Sequence, residues 1–406
     1  MTTDSAFVIV GGGLAAVKLA EALRGNDFDG TVTLIGTEEH LPYERPPLSK
    51  EHLLGKQQLA DFTTAPAQWY RDHHVEVLPG TTVTAIDRDA RTVTLPDGST
   101  RRYDKLALAT GSRPHRLPIP GADADGVYEL RTIEQSDALL ALFGSARRLA
   151  VIGAGWIGLE VAAAARTAGV EVTVLETQRV PLQAALGTRM GEVFAELHRA
   201  NGVDLRCEVR VAEITTSGGT ATGVRLDDGT VLEADAVLQA VGARPNIELA
   251  GNAGLAVDSG VLVDEHLATS DPNIVAAGDI AEQQHPVLKR RIRVEHWANA
   301  LNQPAVAAQT MLGRPATYDR LPYFFTDQYD LGMEYTGYVA PAQDASVVIR
   351  GDVAAREFVA FWLDSGNRVL AGMNVNVWDV TDRIKELIAG GEAVDPQRLT
   401  DPSTPL

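Results

Sequence analysis

Two segments constrain this 406-residue chain more than any other feature: AFVIVGGGLAAVKLAEALRG, beginning at Ala6, and RLAVIGAGWIGLEVAAAARTAG, beginning at Arg148. Each reads as strand, glycine turn and helix, and each is followed by a second apolar strand, TVTLIG and VEVTVLE respectively. A short Val- and Ile-rich run that ends in glycines and passes into helical periodicity is the sequence form of a buried parallel strand feeding a helix. The unit therefore occurs twice, as a duplication of architecture rather than a short-period repeat.

The first turn, Gly11-Gly12-Gly13-Leu14-Ala15-Ala16, is of the GxGxxG/A type. Gly11 permits the tight turn, Gly13 lets a pyrophosphate approach the backbone, and Ala16 is small enough for the helix to pack on the strand. The phosphates then meet free N–H groups and the positive end of the helix dipole. Glu38 follows at the end of the second strand, suited to the ribose hydroxyls. The second turn, Gly153-Ala154-Gly155-Trp156-Ile157-Gly158, has Glu176 in the corresponding place. Two complete fingerprints imply two dinucleotides, and the simplest chemistry for such a pair is hydride transfer from nicotinamide to flavin.

Glu176 bears on the nicotinamide. A carboxylate accepts a hydrogen bond from a 2′-hydroxyl but repels a 2′-phosphate, by about 4 kcal/mol for unit charges ~4 Å apart at an effective dielectric of about 20. NADH is thus favoured over NADPH. Arg179 works in the other direction if it reaches that phosphate, and otherwise serves as a solvated charge or a pyrophosphate contact.

Bulk properties narrow the field. With 45% apolar and 22% charged residues the chain is ordinary for a globular protein of roughly two to three domains. A net charge of -18 argues against nucleic acid as a partner. Cys207 is the only cysteine, which excludes an intramolecular disulfide and a cysteine-only metal or iron–sulfur site, and no metal is expected. The N-terminus MTTDSAFVIV has neither a basic leader region nor a cleavage site, and no long uncharged apolar run occurs, so a cytoplasmic protein without membrane association is expected.

Between the two units, VTAIDRDARTVTLPDGSTRRYDKLALATGS alternates apolar and polar residues about Asp97-Gly98, as a meander does before returning to a buried strand. VAEITTSGGTATGVRLDDGTVLEADAVLQAVGARPN repeats the pattern after the second unit. From about Leu321 the chain reads as short strands, one helix at TDRIKELIAGG and a Pro- and Asp-containing tail expected to be mobile.

With these residues in view, the chain resembles the oxygenase-coupled NADH-dependent ferredoxin reductases, the putidaredoxin reductase and biphenyl dioxygenase ferredoxin reductase group, over nearly its whole length. LPYERPPLSKEHL is the most specific stretch, and LALATGSRP, VGARPN, TSDPNIVAAGDIA and EHWANALNQ also match. The resemblance implies an α/β fold of two Rossmann-type dinucleotide-binding domains in a glutathione-reductase-like arrangement, plus a small α+β C-terminal domain. It divides the chain into a discontinuous FAD-binding domain (1–112 and 245–320), an NADH-binding domain (113–244) and a C-terminal domain (321–406).

The same resemblance assigns residues. On the FAD side it implies Gly11, Gly13, Leu14, Ala15, Thr37, Glu38, Arg45, Lys50, Val83, Ala109, Thr110, Gly111, Arg131, Asp279 and Trp297. On the NADH side it implies Gly153, Gly155, Trp156, Ile157, Gly158, Glu160, Glu176, Arg179 and Gly242. Asp279 then holds the ribityl or pyrophosphate part of FAD, Trp297 lies against the isoalloxazine, Lys50 is near the flavin N5 edge, and Glu160 attends the nicotinamide end. A cation beside the reduced flavin favours its anionic form, and Lys50 is expected to pair with Glu160. Arg45 and Arg131 either neutralise phosphate or flavin charge or form an interdomain salt bridge.

Two departures from the family pattern stand out. Thr37 and Glu38 occupy positions where several relatives carry an Asp, leaving open which reads the FAD ribose. Tyr323 and Phe325 stand where the family pattern has tryptophans, in a PWFWSDQ-like segment near the expected partner face.

Without a cysteine pair, electrons have to leave to an external acceptor. The resemblance makes that acceptor an iron–sulfur ferredoxin serving an oxygenase or cytochrome P450. A basic run, Lys289-Arg290-Arg291-Ile292-Arg293, with Arg314 and Arg320 as extensions, is the expected docking site for an acidic partner. A peroxide-forming NADH oxidase and a redox-responsive flavoprotein resembling apoptosis-inducing factor are the alternative readings.

Overall fold

In the computed structural model, which describes residues 5–340 and 343–406, the first apolar run is the strand Ala6–Val10. Residues 1–4, part of the stretch read for a leader, lie outside the described residues. Contacts divide the chain into two units, one of Met1–Glu44, Leu59–Arg113 and Arg244–Phe324, the other of Arg45–Gln58, Pro114–Ala243 and Phe325–Leu406.

In the first unit, Ala6–Val10 lies at the centre of a five-stranded parallel sheet. The order is Ile274–Ala276, Lys105–Leu108, Ala6–Val10, Thr31–Ile35 and Val75–Leu78. Phe7, Val8 and Ile9 are all buried, so side chains on both faces of the strand are covered; this is why the run reads as continuously apolar rather than alternating. The helix Leu14–Gly25 buries Ala16, Leu19 and Leu23, and packs on the helix Trp297–Met311 through small and flexible residues such as Ala307, Ala308 and Met311. The expected meander is the antiparallel sheet Ala85–Asp87, Thr92–Thr94 and Thr100–Arg102, turning at Asp97 and Gly98.

The second unit repeats the parallel arrangement in the order Asp204–Arg206, Glu171–Leu175, Arg148–Ile152, Ala236–Gln239 and Val127–Tyr128. The helices Trp156–Thr167 and Gln183–Ala200 belong to it, and its antiparallel excursion is Val211–Ser217, Thr220–Leu226 and Val231–Glu233. A further five-stranded sheet has the order Tyr323–Gln328, Leu331–Gly337, Val369–Val375, Glu357–Leu363 and Ser346–Asp352. The helix Thr381–Gly390 lies on its strands Leu331–Gly337 and Val369–Val375, where Ile384, fully buried, fills the space left by Gly372. The terminal stretch, expected to trail away, is held by Arg350, which donates to the carbonyl oxygens of Asp401 at 2.6 Å and Thr404 at 2.6 Å.

Two Rossmann-type units and an α+β C-terminal part are thus the observed architecture, as read from the sequence. Among the described residues no helix is long and apolar enough to cross a membrane.

Truncating the side chain that seats the last long helix tests this packing. Ile384→Ala is expected to lower unfolding stability by about 2–5 kcal/mol, through lost burial and the cavity left against Gly372. A urea midpoint equal to that of the unaltered protein would contradict it.

Candidate dinucleotide sites

In the first unit, Gly11 adopts φ +145° and its N–H donates to the Ile35 carbonyl at 2.8 Å. A Cβ at Gly11 would lie 2.1 Å from the Ala109 carbonyl oxygen, so no larger residue fits without separating the turn from the neighbouring strand. Gly13 precedes the helix Leu14–Gly25, which has no side-chain cap and no acidic residue in its first turn. A Cβ at Gly13 would meet no atom within 4 Å. The helix start beside Gly13 is thus open, uncapped and without an opposing carboxylate, which fits a pyrophosphate approaching the first N–H groups, those of Leu14 and Ala15 included.

Around this turn, Glu38 accepts a hydrogen bond from the Tyr43 hydroxyl, and Thr37 Oγ1 accepts from Thr82 at 3.1 Å. Thr110 Oγ1 donates to the Asn246 carbonyl and Asn246 Nδ2 returns a bond to the Thr110 carbonyl, both at 2.8 Å. Gly111 accepts from the Asn246 N–H at 2.9 Å, and Val83 is buried. Asp279 receives the Ser112 hydroxyl at 2.9 Å. Trp297 is the first residue of its helix and its indole N–H donates to Glu44 at 3.1 Å. Ser112 and Glu44 were not singled out in the sequence, where nothing marks them as partners of residues so far along the chain.

The second unit repeats the glycine geometry. Gly153 has φ +101°, donates its N–H to the Leu175 carbonyl at 2.8 Å, and leaves only 2.4 Å between a would-be Cβ and the Ala240 carbonyl oxygen. Gly155 precedes the uncapped helix Trp156–Thr167 and borders open space. Gly158 faces inward, where a Cβ would fall 2.2 Å from the Gly153 carbonyl oxygen. Trp156 sets its indole edge-on to Phe194, while Ile157 is left 42% exposed, unusual for an isoleucine. Glu176 accepts from the Ala154 N–H at 2.8 Å and the Gln178 N–H at 2.9 Å, so it braces the glycine loop as well as standing at the strand end. Arg179 is exposed, and the Gly242 carbonyl accepts from the His115 N–H at 2.9 Å.

Lys50 and Glu160, 110 positions apart in sequence, meet here in an ion pair of 2.8 Å with side-chain exposures of only 9% and 6%. Lys50 closes the short 3-10 turn Pro46–Ser49. That segment is tied down by the Ser136 hydroxyl donating to the Leu48 carbonyl at 2.7 Å and by His52 bonding Asp137 at 2.8 Å. Arg45 donates to the Arg131 carbonyl at 2.6 Å. Removing two charges from water is costly unless their remaining hydrogen-bonding capacity is filled. The Ser49 and Thr326 hydroxyls fill it, the latter at 2.6 Å from Glu160 Oε1. Phe325 places its ring 5.4 Å from the Lys50 ammonium, within cation–π range. Thr326 escaped the sequence reading, because Tyr323–Gln328 runs from three aromatic to three polar residues and nothing in that order marks which polar residue is buried.

The basic run is partly occupied by the first unit's own framework. Arg291 donates to the carbonyls of Val263 at 3.2 Å and Glu282 at 3.1 Å, and Arg293 to that of Asp279 at 3.2 Å. Arg314 bonds Asn26 and Arg320 bonds Asn302. Lys289 and Arg290 are exposed at the turn that enters the strand Arg290–Ile292.

Paired Rossmann units with uncapped glycine-turn helices define a two-dinucleotide oxidoreductase class. Residues 5–303 match the family model described as pyridine nucleotide-disulphide oxidoreductase, and residues 323–406 match that described as reductase C-terminal. The chain is 41% identical to the ferredoxin–NAD(+) reductase component of the anthranilate 1,2-dioxygenase system of Burkholderia cepacia, over 98% of each. It is 38% identical to putidaredoxin reductase of Pseudomonas putida, over 100% of this chain and 97% of the other. Among solved structures, the covalent putidaredoxin reductase–putidaredoxin complex matches with a TM-score of 0.95 and 37% identity, covering 100% of this chain and 97% of that one. The chain belongs to the ferredoxin- and putidaredoxin-reductase-like family of NAD(H)–FAD oxidoreductases.

The backbone argument separates two glycines of one turn. Without added dinucleotide, Gly153→Ala is expected to cost about 2 kcal/mol or more, and Gly155→Ala to stay within about 0.5 kcal/mol of the unaltered protein. Urea titrations of both variants check this, and equal midpoints would refute the close-approach account.

Proposed function

We propose that this protein is a cytoplasmic NADH:ferredoxin reductase that carries FAD and passes electrons from NADH to a separate ferredoxin, which serves an oxygenase or cytochrome P450. The observation that carries the reading is whole-length similarity to named ferredoxin reductases together with two glycine-turn helices left uncapped and open. When bound, FAD accepts the hydride of NADH and releases electrons singly to a one-electron acceptor. The single cysteine supports an external acceptor, since no dithiol relay is available within the chain.

Gly11, Gly13, Leu14 and Ala15 bind the FAD pyrophosphate through backbone approach and free N–H groups, with Thr37 or Glu38 at its ribose. Val83, Ala109, Thr110 and Gly111 line the same domain, Asp279 with its Ser112 donor holds the ribityl or pyrophosphate part, and Trp297 packs on the ring. Arg45 and Arg131 help place the flavin. Gly153, Gly155, Trp156, Ile157, Gly158 and Gly242 hold NADH, and the exposure of Ile157 is consistent with a side chain awaiting a ligand. Glu176 selects NADH at the ribose, with Arg179 beside it. Lys50 and Glu160 act at the nicotinamide and flavin rings by charge and orientation, not as a proton donor for the hydride step. These assignments correspond to an FAD-binding domain of 1–112 and 245–320, an NADH-binding domain of 113–244 and a C-terminal domain of 321–406.

Ferredoxin docks at the basic run, where Lys289 and Arg290 are exposed. Stopped-flow mixing tests the whole reading. Flavin reduction is expected at least tenfold faster with NADH than with NADPH, followed by reoxidation on adding a ferredoxin. Rapid oxygen consumption without any ferredoxin would replace the reading with an NADH oxidase. The double reversal Lys289→Glu/Arg290→Glu is expected to slow ferredoxin reduction about tenfold at low salt while NADH-to-ferricyanide turnover is retained. Equal loss of both activities, or of neither, would remove this surface from the docking account.

A further inference from the structure

Behind the buried ion pair lies a line of polar side chains that the proposed chemistry leaves unexplained. Thr326 donates to Glu160 Oε1 at 2.6 Å, Gln328 Nε2 donates to Thr326 Oγ1 at 3.1 Å, and Gln328 Oε1 faces His198 Nε2 at 2.8 Å. His198, Gln328 and Thr326 are no more than 1% exposed and Glu160 is 6% exposed, so water does not substitute for any of these bonds. Polar groups buried this thoroughly weaken a core unless each satisfies the next.

We propose that Thr326 and Gln328, backed by His198, are positioning residues that aim the Glu160 carboxylate at Lys50 for work at the nicotinamide end of NADH. The role rests on the reductase reading above.

The line has a direction. The Thr326 hydroxyl carries one proton and spends it on Glu160, so it accepts from Gln328. The Gln328 amide then turns its oxygen toward His198, whose Nε2 has to carry the proton. Turning the amide over would point the Thr326 hydroxyl away from Glu160 and require the His198 proton on Nδ1. That atom is buried without a hydrogen-bond partner, and a buried orphan N–H is among the least tolerated of polar groups. Burial also pushes the His198 pKa down to about 4, so the imidazole stays neutral and adds no cation to compete with Lys50. Every donor along the line thus points toward Glu160, and the carboxylate is met as an acceptor only. Ser49 closes its other oxygen, leaving Lys50 as the sole cation bonded to it among the described contacts.

Thr326 and Gln328 stand two apart in one strand and share its inward face, whereas Glu160 and His198 lie on different helices. A shift of that strand would therefore re-aim Glu160 directly. This gives Thr326 and Gln328 an influence on the dinucleotide site that neither needs to touch.

The test is a double-mutant cycle on the flavin-loaded protein. Thr326→Val keeps the shape and removes the donor, Thr326→Ser keeps the donor, and each is made with and without Glu160→Gln. Two quantities are read: the NAD⁺ dissociation constant of the oxidised protein and the rate of flavin reduction by NADH. Thr326→Val is expected to slow reduction about tenfold or more, the scale of a lost hydrogen bond to a charged group, with a smaller change in NAD⁺ affinity. Thr326→Ser is expected within about twofold of the unaltered protein. In the Glu160→Gln background Thr326→Val should add nothing further to either quantity. Equal effects of Thr326→Val in both backgrounds would overturn the proposal, as would failure of serine to restore the rate. Should Thr326→Val not fold, Gln328→Met breaks the next link and is held to the same criterion of non-additivity with Glu160→Gln. An unaltered protein that neither binds NAD⁺ nor reduces its flavin would instead sink the reductase reading, so the two failures are distinguishable.

Discussion

Two carbonyl oxygens, those of Ala109 and Ala240, occupy the space where Gly11 and Gly153 have no side chain. In each unit the glycine also bonds through its N–H to the last residue of the neighbouring strand, Ile35 or Leu175, at 2.8 Å. Backbone thus packs against backbone on both sides of the turn. That contact sets where the following helix begins, and so where its unpaired N–H groups point. A helix dipole helps bind an anion only within its first turn, so a displacement of an ångström or two at the glycine would misplace the whole cradle. Both units depend on this one steric condition, although little else in their turns is shared beyond glycine spacing.

The Lys50–Glu160 pair is held by a different principle. Its burial costs solvation that Coulomb attraction alone repays poorly, and apolar residues of the same volume would serve stability as well. What makes the charges tolerable is a shell in which Ser49 and Thr326 complete the carboxylate and the Phe325 ring attends the ammonium. Such an arrangement contributes little to folding but fixes two charges in one orientation, which is what charge-based assistance to hydride transfer requires.

Much of this was legible in the chain. The strands Ala6–Val10 and Arg148–Ile152 and both glycine-turn helices follow from local periodicity, and the short meander from its Asp97-Gly98 turn, because each depends on neighbours only a few residues away. The helix Thr381–Gly390 was visible for the same reason. What was not legible is long-range: that Thr326, Gln328 and His198 converge on Glu160, or that Glu176 braces the Ala154 N–H besides standing at the strand end. The basic run shows the limit most plainly. In sequence its charges look equivalent, but Arg291 donates to the carbonyls of Val263 and Glu282 and Arg293 to that of Asp279, contacts with distant segments that no local pattern announces.

Those contacts bear on how a chain of net charge -18 can receive an acidic ferredoxin under the proposed function. At physiological ionic strength the screening length is about 8 Å, so carboxylates spread over the remainder of the surface are largely invisible to a partner at close range. What the partner meets is the charge within roughly one screening length of the contact. Under that proposal, Lys289 and Arg290, both exposed at the end of a hairpin, are the positive charges the partner would meet there, whereas Arg293 is paired with Glu295 at 2.5 Å. The global acidity then acts mainly at longer range and low salt, where it slows approach. In the proposed docking, the local pair would act in the final step and set orientation. A reductase of this charge is therefore expected to tolerate moderate salt better than one that relies on a long-range attractive field, because screening weakens the repulsion as well as the attraction.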